Sequence, residues 1–205
     1  YGDESSVACR KGALTAEILT YGFATTGSPP NKDTKSLLVW GTNPPYSGPP
    51  NDWQNLLEAK ERGVKFIVVD PRITPTVSIL ADIHLQPRLN SQAALAAGMM
   101  HVVFKEGLHD EAFCSKWING IDELKEYVKT FTPEKSEQIT GVPAKKIVDA
   151  ARLYATNGPG GIKTSAQGTT HDLNAGNNHR AILMIPAICG YIDVPGGVED
   201  PTNPL

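Results

Sequence analysis

The sequence predicts an α/β fold: an open, mostly parallel sheet with helices on both faces. Three observations carry this. Leu37-Leu38-Val39-Trp40 and Phe66-Ile67-Val68-Val69 are uninterrupted apolar runs, the pattern of parallel strands covered on both sides. Segments with apolar residues at helical spacing alternate with these runs. The connections are short and rich in Gly, Pro, Ser and Asn.

Residues 9–23 read as a helix, because Leu14, Ile18 and Tyr21 sit at i, i+4 and i+7. Residues 25–34 form a polar loop. The first strand, 37–40, ends at Gly41 and runs into a stiff loop containing Pro44, Pro45, Pro49 and Pro50. Asn51 or Asp52 caps the next helix, which buries Trp53, Leu56 and Leu57 and ends at Gly63. The second strand, 66–69, ends at Asp70-Pro71-Arg72, and Ile83-His84-Leu85 is a short third strand. Ser91 caps a helix with Leu95, Met99 and Val102 on one face. Helices follow around 110–116, 122–130 and 144–156, the last with Ile147, Ala151 and Tyr154 at helical spacing. Residues 161–165 are a further strand candidate, and 180–188 a helix ahead of Gly190. No internal repeat is visible.

A chain of 205 residues can bury a sizeable core, and residues 1–205 are expected to form a single α/β domain. The net charge is −3 and no block of Lys and Arg stands out, which argues against a nucleic-acid partner or an anionic membrane surface. No apolar run is long enough to span a bilayer, and no signal peptide is visible. The three cysteines, Cys9, Cys114 and Cys189, are far apart, so no CxxC cluster site or disulfide framework is expected. Cys114 and Cys189 lie on apolar helix faces and read as core. Both ends of the chain look cut, and the compartment stays open between cytoplasmic and exported.

Ligands of open α/β sheets sit beyond the carboxyl ends of the strands. Three loops leave such ends: 41–47, 70–74 and 86–92. Gly41 allows close backbone approach, and Asn43 can donate and accept. Asp70 can take two hydrogen bonds from a ribose or a guanine edge, while Arg72 and Arg88 can fork onto phosphate oxygens. Ser91 opens a helix whose free N–H groups favour an anion. The same residue types also populate ordinary turns, so nucleotide site and plain turn chemistry both stand. No GxGxxG and no Walker loop is present.

Three segments, LLVWGTNPPYSGP, IVVDPRITPTVSILADIHLQPR and HRAILMIPAICGYIDVPGG, together resemble the DMSO reductase family of molybdopterin oxidoreductases, in order and at family-like spacing. The stretch from Gly107 to Ala155 matches the usual pattern between them. The resemblance implies a Rossmann-like, nucleotide-binding middle part of a larger catalytic subunit. That subunit would hold bis(molybdopterin guanine dinucleotide) with Mo or W. An iron–sulfur segment would precede this part and a barrel-like domain would come after it. Trp40, Gly41, Thr42, Asn43, Pro44 and Ser47 fall in the first cofactor loop; Asp70, Pro71 and Arg72 in the second; Asn90, Ser91 and Gln92 in the third. The third loop departs from the usual Gly-Thr-Asp, since Gln92 brings an amide and no charge. Cys189 and Tyr191 stand where Thr and Asn are common.

Cys9 has the placement of the family's metal ligand. A thiol at a helix start followed by Arg10 and Lys11 favours thiolate, a soft ligand suited to Mo or W. The bland alternative is an inert cysteine. Gln167 and His171 match pterin- or metal-proximal positions, and Arg180 matches a catalytic arginine of some members. His171 is either a proton shuttle or a loop-bonding residue. Arg10, His171 and Arg180 are thus candidates to orient substrate or relay protons. His84, His101, His109 and His179 read as structural.

The resemblance implies two-electron or oxygen-atom transfer on a small-molecule substrate, with an iron–sulfur electron-transfer subunit as partner. The alternatives are non-redox hydration on tungsten and a cofactor-free subunit like the large iron–sulfur subunit of respiratory complex I. The isolated chain is expected to hold no metal and to be inactive.

Overall fold

A computed structural model describes residues 10–25, 29–171 and 174–199. Its centre is a four-stranded, all-parallel sheet in the order β3-β2-β1-β4, built from β1 (Ser36–Trp40), β2 (Lys65–Val69), β3 (Ile83–Leu85) and β4 (Gly160–Thr164). Leu37 stands between Phe66 and Gly161 in register, and Val69 pairs with Leu85. All five residues of β1 are buried, as expected of the central strand of a covered sheet.

The alternation of side chains divides the core in two. Leu38, Trp40, Ile67 and Val69 face one side, against α5 (Gln92–Lys105), α9 (Ala144–Thr156) and α11 (Ala175–Ile188). Leu37, Val39, Phe66 and Val68 face the other, against Leu56 and Ala59 of α3 (Pro50–Glu61) and Val77 and Leu80 of α4 (Pro75–Leu80). The first helix, α1 (Lys11–Tyr21), lies on α11, and Tyr21 donates its hydroxyl to Leu183 O at 2.5 Å. The remaining helices are α2 (Pro44–Ser47), α6 (Glu111–Trp117), α7 (Ile121–Val128), α8 (Pro133–Thr140) and α10 (Ala166–Thr170).

Each strand and each longer helix expected from the sequence is present, with ends moved by a few residues. The differences have local causes. The cap expected at Asn51 or Asp52 is absent: the helix starts on Pro50 behind Pro49, and Asp52 instead pairs with Lys163 at 2.6 Å. Ser91 stands at the start of α5 but donates its hydroxyl to Arg88 O at 2.6 Å, so its side chain caps nothing. The last helix starts at Ala175, ahead of the expected 180. Four helices are not expected from the sequence pattern: α2, α4, α8 and α10, all of eight residues or fewer. Cys114 and Cys189 are core residues, and burial pushes their thiols up to about 11 and about 12.

Candidate functional site

With every strand parallel, the four strand-end loops share one edge of the sheet. The switch in strand order falls between β1 and β4, where a ligand crevice is expected. Gly41 closes β1 with φ +63° and donates its N–H to Val69 O at 2.9 Å. Its backbone lies so close to Gly168, two residues into α10, that a Cβ on Gly168 would come within 2.2 Å of Gly41 O. Any side chain there would push the two loops apart.

Asn43 accepts the Thr76 hydroxyl on Oδ1 at 2.8 Å, tying the first loop to α4. Its carbonyl takes the Ser47 N–H and hydroxyl, both at 3.1 Å, so this loop is wound into the single turn α2. Asp70 is 2% exposed. Its Oδ1 accepts the Arg72 N–H at 2.8 Å and lies 3.6 Å from Arg72 Nε. The Arg72 side chain is otherwise 74% exposed, a cation held at its root and open at its tip. The second loop is braced from β3 and beyond: His84 Nε2 donates to Asp70 O at 2.9 Å, and Gln86 Nε2 to Pro71 O at 2.8 Å.

From the third loop, Gln92 Nε2 donates to Gly168 O at 3.1 Å, linking α5 to the turn after β4. Its Oε1 is buried with no partner among the described residues. A cavity of about 50 Å³ lies here, bounded by Trp40, Gly41, Pro71, Arg88, Gln92 and Gly168, so all four loops contribute a wall. Arg88 departs from the sequence reading. Its Nη1 donates to Gln138 O at 2.9 Å and Ile139 O at 3.3 Å, holding the end of α8 rather than presenting a free fork. Asn90 is exposed at φ +62°, and Ser91 is buried.

The residues expected near a metal are not gathered in this cavity. Cys9 lies outside the described residues. Arg10 reaches Glu17 Oε2 at 3.3 Å. Gln167 and His171 are exposed on α10 and at its end. Arg180 lines a separate groove of about 390 Å³ with Leu19, Trp117 and Met184, its Nε buried and without a partner among the described residues. A roomier hollow, about 570 Å³, adjoins that groove and is walled by Tyr21, Phe113 and Trp117. Among the described residues its one acidic lining residue is Asp193 and it has no cationic one, whereas the strand-end loops carry Asn43, Asp70, Arg72 and Gln92 at one edge of the sheet. Among the described residues, no group of three or more His, Cys, Asp or Glu is placed to hold a metal ion.

Sequence reasoning missed Thr76 and Gln86, and it placed Gly168 in a segment near the cofactor without giving the glycine a role of its own. Thr74-Pro75, a cap residue followed by proline, was a readable signal for the helix that carries Thr76. Gly168 was readable as the glycine just past a strand candidate.

The donor set suits a nucleotide at the guanine and phosphate end: an orphaned amide oxygen, a buried carboxylate, an open guanidinium and a glycine pair that admits close backbone approach. The family model for molybdopterin oxidoreductase matches residues 19–202. The probable oxidoreductase YoaE of Bacillus subtilis is 37% identical over 165 residues, 80% of this chain and 24% of that protein. Formate dehydrogenase H of Escherichia coli is 34% identical over 171 residues, 83% of this chain and 24% of that protein. Among solved structures, acetylene hydratase from Pelobacter acetylenicus superposes with a TM-score of 0.76 at 33% identity, over 88% of this chain and 24% of that one. The chain thus spans about a quarter of the length of these relatives. A parallel sheet with its polar loops on one edge, and a family match over nearly the whole sequence, make this chain a member of the molybdopterin oxidoreductase family.

Proposed function

We propose that residues 1–205 are the single-domain, nucleotide-binding middle part of a Mo or W catalytic subunit, gripping bis(molybdopterin guanine dinucleotide) at the carboxyl edge of the sheet. The observation behind this reading is the convergence of four strand-end loops on one cavity, with the unpartnered Gln92 Oε1 buried at its wall. Trp40, Gly41, Thr42, Asn43, Pro44 and Ser47 belong to the first loop of the proposed site, Asp70, Pro71 and Arg72 to the second, and Asn90, Ser91 and Gln92 to the third, with Gln167 on the turn after β4; of these Trp40, Gly41, Pro71 and Gln92 line the cavity. Asp70 binds ribose or guanine donors, Arg72 meets phosphate, and Gln92 reads an amide edge. Cys9 is the protein ligand of the metal, and Arg10, His171 and Arg180 serve substrate and protons. When bound, the cofactor supplies two-electron or oxygen-atom chemistry on a small molecule, and the protein supplies binding and electrostatics. An iron–sulfur subunit is the electron partner.

Non-redox hydration is a second reading, favoured by the likeness to acetylene hydratase. Dye-linked electron transfer by the full-length enzyme supports the first reading, and hydration without a dye the second.

Asp70→Asn in the full-length enzyme tests the site. Asn retains the acceptor for the Arg72 N–H but loses the charge. Because a hydrogen bond to a charged group contributes about 1.5–3 kcal/mol, guanine nucleotide released on acid extraction should fall about tenfold or more. Wild-type nucleotide content in a folded Asp70→Asn enzyme would overturn the assignment.

A further inference from the structure

Glu17 on α1 and His179 on α11 are 1% and 0% exposed, and the sheet-edge cavity uses neither. His179 Nε2 lies 3.5 Å from Glu17 Oε1. The other carboxylate oxygen accepts the Thr25 N–H at 2.8 Å and faces Arg10 Nη2 at 3.3 Å. On the far side of the ring, His179 Nδ1 is 2.8 Å from Thr169 Oγ1. Thr169 donates its one hydroxyl hydrogen to Ser165 O at 2.6 Å, so it must accept from His179 Nδ1–H. A bare Nε2 would then set its lone pair against the Glu17 carboxylate. At 3.5 Å no hydrogen bond joins the two, and Nε2 has no hydrogen-bond partner among the described residues, so the contact is electrostatic.

Apolar residues of similar volume would join α1 to α11 at least as well, since burying charge carries a desolvation cost. The polar set does something an apolar contact does not. At one end it holds Arg10, the chain neighbour of Cys9. At the other it holds Thr169, the chain neighbour of Gly168, which packs on Gly41 and accepts from Gln92.

We infer that Glu17 and His179 are positioning residues: a buried polar brace that fixes Arg10 and the 165–169 turn relative to each other. The inference rests on the proposed function for what those two ends serve, the metal-ligand segment and the nucleotide cavity.

The test uses the 205-residue chain with ¹⁵N-labelled histidine, comparing wild type, Glu17→Gln and Tyr21→Phe. Tyr21→Phe removes a different bond from the same helix pair, to Leu183 O. In wild type, His179 Nδ1 carries a proton. In Glu17→Gln the Nε2 resonance moves, and amides 166–170 exchange with deuterium roughly tenfold faster, the scale of one lost hydrogen bond. Tyr21→Phe moves neither. A bare Nδ1 in wild type overturns the inference without any variant, so the test survives a Glu17→Gln chain that does not fold. An unmoved Nε2, or a 166–170 segment that responds equally to both variants, overturns it as well. Failure of the wild-type chain to bind added GDP counts against the nucleotide reading and leaves these readouts intact.

Discussion

Asp70 joins the sequence to the site most directly. An acid placed just past a covered strand has its backbone fixed by the sheet and its side chain turned to the edge, and the structure buries it to 2% with Arg72 as an ionic partner. Gly41 was legible for the same reason: the sheet that holds a strand also holds the residue just past its end. The contacts that Thr76 and Gly168 make were not, because they depend on which loops meet, and only the sheet order decides that. The buried thiols and phenols make a separate prediction. Burial raises Cys114 to about 11 and Cys189 to about 12, and raises Tyr21, Tyr154 and Tyr191 further. Each group thus keeps its proton in the folded chain at a pH where the unfolded chain has lost it. Their shared contribution is intact below the ordinary thiol range and shrinks as pH rises through it toward the folded values. Melting temperature should fall steadily from about pH 9 upward, with Cys189→Ala flattening the fall. A melting temperature constant between about pH 8 and 11 would contradict the burial of these groups.

At the scale of elements, the long covered strands and the helices with sustained 3.6-residue spacing were readable, as α9 shows with Ile147, Ala151 and Tyr154 all buried. Helices α4 and α8 were not, although α6 and α7 of similar length were, because their six and eight residues show no sustained apolar spacing. Their signals are caps instead. Thr74 accepts Val77 N–H at 3.4 Å and Thr132 accepts Lys135 N–H at 3.3 Å, each followed by proline in the first turn. Helix α4 bears on the proposed site because it delivers Thr76 to Asn43. Thr74→Ala should lower stability by about 1 kcal/mol in urea unfolding and increase amide exchange in 43–47. Unchanged exchange in that loop would show that α4 does not support it. The conventional cap at Ser91 failed for an opposite reason: its hydroxyl is engaged with Arg88 O, which leaves the first turn of α5 without a side-chain cap beside the cavity.

At the scale of the whole molecule, the fold separates two faces of different character. One edge of the sheet collects polar loops, while the side formed by α1, α6 and α11 carries the wide grooves lined by Trp117 and Tyr21. The sequence motifs mapped the first correctly to a strand-end edge, because parallel order was implied by the apolar runs. They could not say that Arg180 would line the second, since a helix position alone does not tell which neighbour its side chain meets. No described helix is long and apolar enough to cross a membrane. The central claim is that the polar edge, and not the wide groove, receives the nucleotide. Amide chemical-shift mapping of the 205-residue chain during titration with GDP tests it most directly. The account predicts shifts at Gly41, Arg72, Gln92 and Gly168 together. Shifts confined to Tyr21, Trp117 and Asp193, or none at saturating GDP, would contradict it.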